Sequence, residues 1–139
     1  MLIRAFGKGD EDAVVALWHE CGLTRTWNDP RKDIARKMTV QPELFLVGLV
    51  DDKIIATLMA GYEGHRGWVN YLAVAPEHRR QGCGRVLMQE AEERLLALGC
   101  PKVNIQVRTS NAEALGFYKS IGYLQDEAVS LGKRLMPDR

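Results

Sequence analysis

A mixed α/β fold is predicted, on three features of the chain. Apolar residues recur at helical spacing in four segments. Three apolar runs joined by short polar turns lie between the second and third of these, and one more lies between the third and fourth. Asp10 opens a helix near 11–21, where Val14, Leu17, Trp18 and Cys21 fall at i, i+3, i+4 and i+7, and Gly22 can stop it. Asp29-Pro30 reads as N-cap plus first-turn proline for a second helix with Ile34 and Met38 on one face. Leu44–Val50, the turn Asp51-Asp52-Lys53 and Ile54–Ala60 form a hairpin. A glycine-rich turn from Gly61 to Gly67 leads to Trp68–Val74, which completes a three-stranded meander ended by Pro76. A longer helix over 82–98 carries Val86, Leu87, Ala91, Leu95 and Leu98 on one stripe, with Gly99 and Pro101 closing it. Val103–Val107 is the next strand, and the crossover into it favours a parallel pairing with Trp68–Val74. Ser110-x-x-Glu113 offers a capping box for a last helix with Ala114, Tyr118 and Ile121, ended by Gly122. Tyr123–Leu135 is left for one or two further strands.

The 139 residues, 15.6 kDa, leave room for one domain spanning 1–139, and no linker, repeat or low-complexity tract divides them. Hydrophobic residues at 46% and charged residues at 27% belong to a packed domain rather than a disordered one. Nineteen Lys and Arg against eighteen Asp and Glu leave a net charge of +1, which argues against nucleic acid held by overall charge. An RNA-binding use of the arginines would also want interleaved aromatics, which are lacking. No apolar run approaches the ~20 residues of a membrane span, and the start is unlike a signal peptide, so a cytoplasmic protein is expected. Cys21, Cys83 and Cys100 cannot all pair, and His19-x-Cys21 is the one close pair of metal ligands, so neither a disulfide framework nor a metal is expected.

The chemically informative stretch runs from Leu72 to Arg85. A buried strand ends, a loop with Arg79, Arg80, Gly82 and Gly84 follows, and a long helix begins. Unpaired N–H groups and the positive end of the helix dipole attract phosphate there, and guanidinium forks suit its oxygens. Gly82 and Gly84 would let the backbone approach a ligand that a Cβ would hold off. Leu87 stands where a dinucleotide fingerprint needs its third glycine, and no G-K-[ST] follows a glycine loop.

Arg79-Arg80-Gln81-Gly82-Cys83-Gly84 resembles the acetyl-CoA motif [RQ]-x-x-G-x-[GA] of the GNAT N-acetyltransferases. Asn111-x-x-Ala114-x-x-x-Tyr118 with Ile121-Gly122-Tyr123 resembles the second signature of that family, at the expected spacing. The resemblance implies a mostly antiparallel sheet with a central splayed parallel pair and helices on both faces. It implies acetyl-CoA as cosubstrate, held by the backbone of Leu72, Ala73 and Val74, by Arg79, Arg80, Gln81, Gly82, Cys83, Gly84 and Arg85 around the pyrophosphate, and by Asn111 and Tyr118. Tyr118 would be the general acid, returning a proton to a thiolate with a pKa near ~8.5 from a phenol near ~10.

Val107-Arg108-Thr109-Ser110-Asn111 is similar to the ribosomal-protein acetyltransferases, but Gln106 stands where those carry a catalytic Glu, and an amide takes no proton. Glu63 and His65, in a turn between strands, are the expected base or proton relay. Trp27, Asn28 and Asp29 are expected beside the acceptor, a small-molecule or protein amine, and a homodimer stays open. The rival function is a sensor or partner-binding module that holds acetyl-CoA without turnover.

Overall fold

The computed structural model describes residues 1–138. Five strands form one sheet in the order β1 (Leu2–Ala5), β2 (Phe45–Val50), β3 (Lys53–Tyr62), β4 (Gly67–Val74) and β5 (Val103–Ile105). Neighbours are antiparallel except β4 and β5, which are parallel as the crossover rule requires. The helices are α1 (Glu11–Glu20), α2 (Pro30–Lys37), α3 (Cys83–Ala97) and α4 (Ala112–Ser120). Asp51 and Asp52, with φ of 50° and 62°, make the tight turn between β2 and β3, a conformation whose twist suits a two-residue hairpin.

Helices lie on both faces. Thr57 of β3 faces α1, where its hydroxyl accepts the Trp18 indole N–H at 2.9 Å. Residues alternate along a strand, so Ala56 and its β4 partner Val74 face the other way, toward Gly84 in the first turn of α3. Val14, Val15, Leu17 and Trp18 of α1 and Leu87, Met88, Ala91 and Leu95 of α3 are buried against the two sides. Each large apolar side chain so removed from water stabilises the fold by about 1.5–3 kcal/mol.

Three sequence expectations change. β1 was not expected; it is four residues long, too short to show a period, and forms because β2 offers it an edge. Asp10 stands at the start of α1 but does not cap it; its carboxylate pairs with Arg4 at 2.7 Å and accepts the Gly7 N–H. Tyr123–Leu135 contains no strand. That segment passes β5 through side chains alone, Lys102 to Asp126 and Gln106 to Ser130, and a strand needs a backbone ladder. It ends over α2, where buried Asp138 accepts from the Asp29 N–H at 2.8 Å and from Arg36 at 2.5 Å.

The feature that positions the site is a bulge in β4. Ala60 pairs with Val69 and Ala56 with Val74. Ala56 and Ala60 share a face, so Val69 and Val74 must share one despite their odd spacing, and one residue of β4 is extra. The register breaks beside Tyr71, whose φ is 52°. β5 pairs only with Gly67, Trp68 and Val69. From Asn70 to Val74, β4 has no strand on that side, and the parallel pair diverges.

Candidate active site

The divergence leads directly to the start of α3, and that start differs from those of α2 and α4. Asp29 caps α2 by accepting the Arg31 N–H at 2.9 Å, and Asn111 caps α4 by accepting the Ala114 N–H at 3.0 Å. Both helices also carry an acid in the first turn, Asp33 and Glu113. At the start of α3 the N-cap is Gly82, no side chain caps, and the first turn has no acid. Its first N–H groups and dipole are left for an anion from outside. Arg80 and Gly82 reach this point through the left-handed region, φ 62° and 79°. Arg80, Gln81 and Arg85 are exposed and Cys83 is half-buried. Arg79 folds back, its Nε donating to the Val74 carbonyl at 3.1 Å, and the Cys21 thiol donates to the same oxygen at 3.4 Å. Ala73 is buried and Leu72 half-buried.

The two glycines sit in different surroundings. A Cβ on Gly82 would meet nothing within 4 Å, so its surroundings are open. A Cβ on Gly84 would lie 3.1 Å from Phe117 Cζ, so that glycine lets α4 approach α3. The contact also sets the next residue, Tyr118. Its ring meets Phe117 and Tyr123 edge-on, with centroids 5.2 and 5.9 Å away. Burial pushes its hydroxyl up to about 12, so it stays protonated at neutral pH. No buried side-chain oxygen among the described residues lacks a partner, so the Tyr118 hydroxyl, which makes no internal hydrogen bond, reaches open space. Asn111 rather than Ser110 caps α4. Its Oδ1 is used there, which leaves the amide N–H groups to donate.

Glu63 and His65 are not brought to this end. Their turn sits at the start of β4, near the end of α3, where the Tyr62 hydroxyl reaches the Gly99 carbonyl at 3.4 Å. Gly67 and Val74 are about 20 Å apart along an extended strand. The Glu63 carboxylate accepts the backbone N–H groups of Arg66 and His65 and the Trp68 indole, which hold it below the usual carboxylate range. It staples its own turn and is a poor base.

Trp27, Asn28 and Asp29 do reach the divergence, from the α1 side. Arg108, on the chain leaving β5, lies over the Trp27 ring at 5.5 Å, and Arg134 donates to Asn28 at 2.8 Å. Beside the bulge, Tyr71 stacks on Trp18 with centroids 3.8 Å apart and donates to Asp33 at 2.6 Å. Burial and that carboxylate push the Tyr71 hydroxyl far above its ordinary range. Tyr71, Arg108 and Arg134 meet the residues around the divergence, and spacing along the sequence does not reveal them. The Gln106 amide donates to Ser130. Among the described residues no group of three or more His, Cys, Asp and Glu is placed to hold a metal, and no helix is long and apolar enough to cross a membrane.

Comparison with known proteins agrees with this geometry. The acetyltransferase (GNAT) family matches residues 12–123. An acetyltransferase of Pectobacterium atrosepticum is 44% identical over 139 residues, 100% of this chain and 99% of its own. Among solved structures, an aminoglycoside antibiotic 6'-N-acetyltransferase of Acinetobacter haemolyticus superposes with a TM-score of 0.77 at 18% identity, covering 98% of this chain and 99% of that one. The ribosomal-protein-S18-alanine N-acetyltransferase of Escherichia coli gives 0.73 at 24% identity, over 87% and 76%. At these identities the two structures speak for the fold. With the sequence match covering most of its length, the chain belongs to the GNAT acetyltransferase family.

Proposed function

We propose that the protein transfers an acetyl group from acetyl-CoA to a primary amine by direct attack within a ternary complex. The observation that carries this is the free edge of β4 from Asn70 to Val74, running into a helix start with no cap of its own. An extended amide chain adds to such an edge as a short strand, so Leu72, Ala73 and Val74 hold the pantetheine arm through their backbone. The N–H groups from Arg80 to Arg85 receive the pyrophosphate, with Arg80 and Arg85 neutralising its charge. Arg79 exchanges the Val74 carbonyl for a phosphate oxygen, which frees that carbonyl for the pantetheine amide. The Asn111 amide donates from the opposite wall.

The reaction forms a C–N bond and breaks the thioester C–S bond. The amine nitrogen attacks the acetyl carbonyl, the electron pair of the C–S bond leaves with sulfur, and the Tyr118 hydroxyl gives its proton to the thiolate. The proton lost by the amine passes to water and restores the phenol. Desolvation raises the thiolate's proton affinity as well as that of Tyr118, which offsets part of the rise in the phenol. Gln106 cannot take the amine's proton, so the acceptor arrives as the free base. That amide also supports the second reading, acetyl-CoA held without turnover. Acetyl-CoA should raise the melting temperature, since a ligand bound to the folded state alone stabilises it. Thiol release against a panel of amines then separates the readings: a thermal shift with no thiol release from any amine refutes transfer and leaves the sensor, and no shift refutes both.

A further inference from the structure

We infer that the acceptor amine carries a carboxylate, recognised by Arg108 and Arg134; this rests on the transfer reading above. The cofactor occupies the α3 face of the divergence, so the acceptor enters from the face of α1 and α2. There the adjacent residues Trp27 and Asn28 each hold a guanidinium. The Arg108 Cζ lies over the Trp27 ring, 5.5 Å from its centroid, which holds the guanidinium beside a ring that is itself 48% exposed. Arg134 donates to Asn28 at 2.8 Å and to the Met136 carbonyl, both neutral partners.

The carboxylates at this mouth are already engaged. Asp29 caps α2, Asp33 accepts from Tyr71 and faces Arg36 at 3.5 Å, and Asp138 accepts from Arg36 and the Asp29 N–H. No acidic side chain among the described residues lies within 4.0 Å of either guanidinium of Arg108 or Arg134. The mouth therefore offers two positioned cations and no spare anion, the opposite of what a polycationic acceptor needs. A guanidinium fork matches a carboxylate in geometry as well as charge. A free amino acid and the acidic end of a peptide would both supply that chemistry.

The test compares matched acceptors under saturating acetyl-CoA: small amino acids and their α-amides, C-terminally amidated peptides ending in Asp or in Asn, and an aminoglycoside. Thiol release should favour the carboxylate member of a pair by on the order of tenfold or more in kcat/KM, the scale of a charge-assisted hydrogen bond. Arg108→Gln and Arg134→Gln should each shrink that preference while the thermal shift with acetyl-CoA stays. Whichever pair shows the larger ratio, amino acid or peptide, identifies the source. Equal rates within every pair, or the aminoglycoside as best acceptor, overturns the inference and leaves transfer standing. Acetyl-CoA binding with no turnover of any carboxylate-bearing amine overturns it too. Failure of acetyl-CoA to bind removes the transfer reading and the inference together.

Discussion

The two ends of β4 are built from one continuous strand and behave as opposites. At its start, Gly67, Trp68 and Val69 have strands on both sides, and the adjoining turn is closed upon itself by Glu63. At its end, beyond the bulge at Tyr71, the backbone has a strand on one side only and faces a helix start without a cap. Both ends carry residues that look catalytic in a list, a carboxylate and an imidazole at one, arginines and a tyrosine at the other. Which groups are free to act is decided by what they already bond. A polar group satisfied by its own turn contributes to order, and one left open by a broken ladder is available to a ligand.

The sharpest way to break this comparison is to remove one oxygen from the open end. Tyr118→Phe keeps the ring and its contacts with Phe117 and Tyr123. Loss of a general acid should slow thiol release on the order of 10²-fold, with acetyl-CoA binding little changed. A rate close to that of the native protein would reduce Tyr118 to a packing residue. The next effect in size is on affinity. Arg80→Gln combined with Arg85→Gln should weaken acetyl-CoA binding by roughly tenfold or more, read as a smaller thermal shift that added salt reduces further. Gly84 is a poor place for this test, because a larger residue there strikes Phe117 and would disturb α4 before any ligand arrives.

Much of this was legible because it is periodic or local. The stripe of α1 and the β2–β3 hairpin announce themselves by spacing, and the α3 start by a strand, glycines and arginines in succession. Of the expected α3 stripe Leu87, Ala91 and Leu95 are buried, while Val86 and Leu98 stay exposed and Met88 is buried instead. The bulge is not legible, since the apolar character of Trp68–Val74 continues through Tyr71 and nothing marks the extra residue. The partner of Gly84 lies in α4, and those of Trp27 and Asn28 lie after β5 and in the C-terminal segment, so their roles wait on the fold. Val129 and Leu131 alternate as a strand would, but no edge takes them and both stay exposed. The turn of Glu63 and His65 precedes β4 in the chain and so lies at its start, whereas the bonds that tie the Glu63 carboxylate to the His65 and Arg66 N–H groups appear only in the fold.

The closed end of β4 offers a further prediction, smaller in effect than those above. Glu63→Gln should leave the rate within about twofold of native, as an exposed substitution away from the chemistry does. It should loosen the β3–β4 turn, seen as faster hydrogen exchange at the His65 and Arg66 N–H groups that the carboxylate accepts. A large fall in thiol release with a folded Glu63→Gln variant would bring the closed end of β4 into the mechanism and undo the contrast.

The smallest effect expected is an absence, in the pH profile of the open end. An amine acceptor must lose its proton, so the rate should climb with pH toward the acceptor's own pKa. A phenol in water would begin to ionise near ~10 and cost the reaction its acid, giving a descending limb. Tyr118 is pushed up to about 12 by burial, so that limb should be missing below pH ~10. Stability follows the same sign. A group whose pKa is raised on folding contributes stability that is complete below its unfolded value and is lost as pH rises through the folded one. Between about pH 10 and 12 the native protein should therefore lose stability that Tyr118→Phe, with nothing to titrate there, retains. Denaturant melts of both proteins across that interval measure the difference, and thiol release up to the edge of it measures the acid. A descending limb centred near ~10 in protein that is still folded would mean a phenol exposed like a free one. The open end would then be open to water as well as to substrate, and the tyrosine's burial would have no part in keeping its proton.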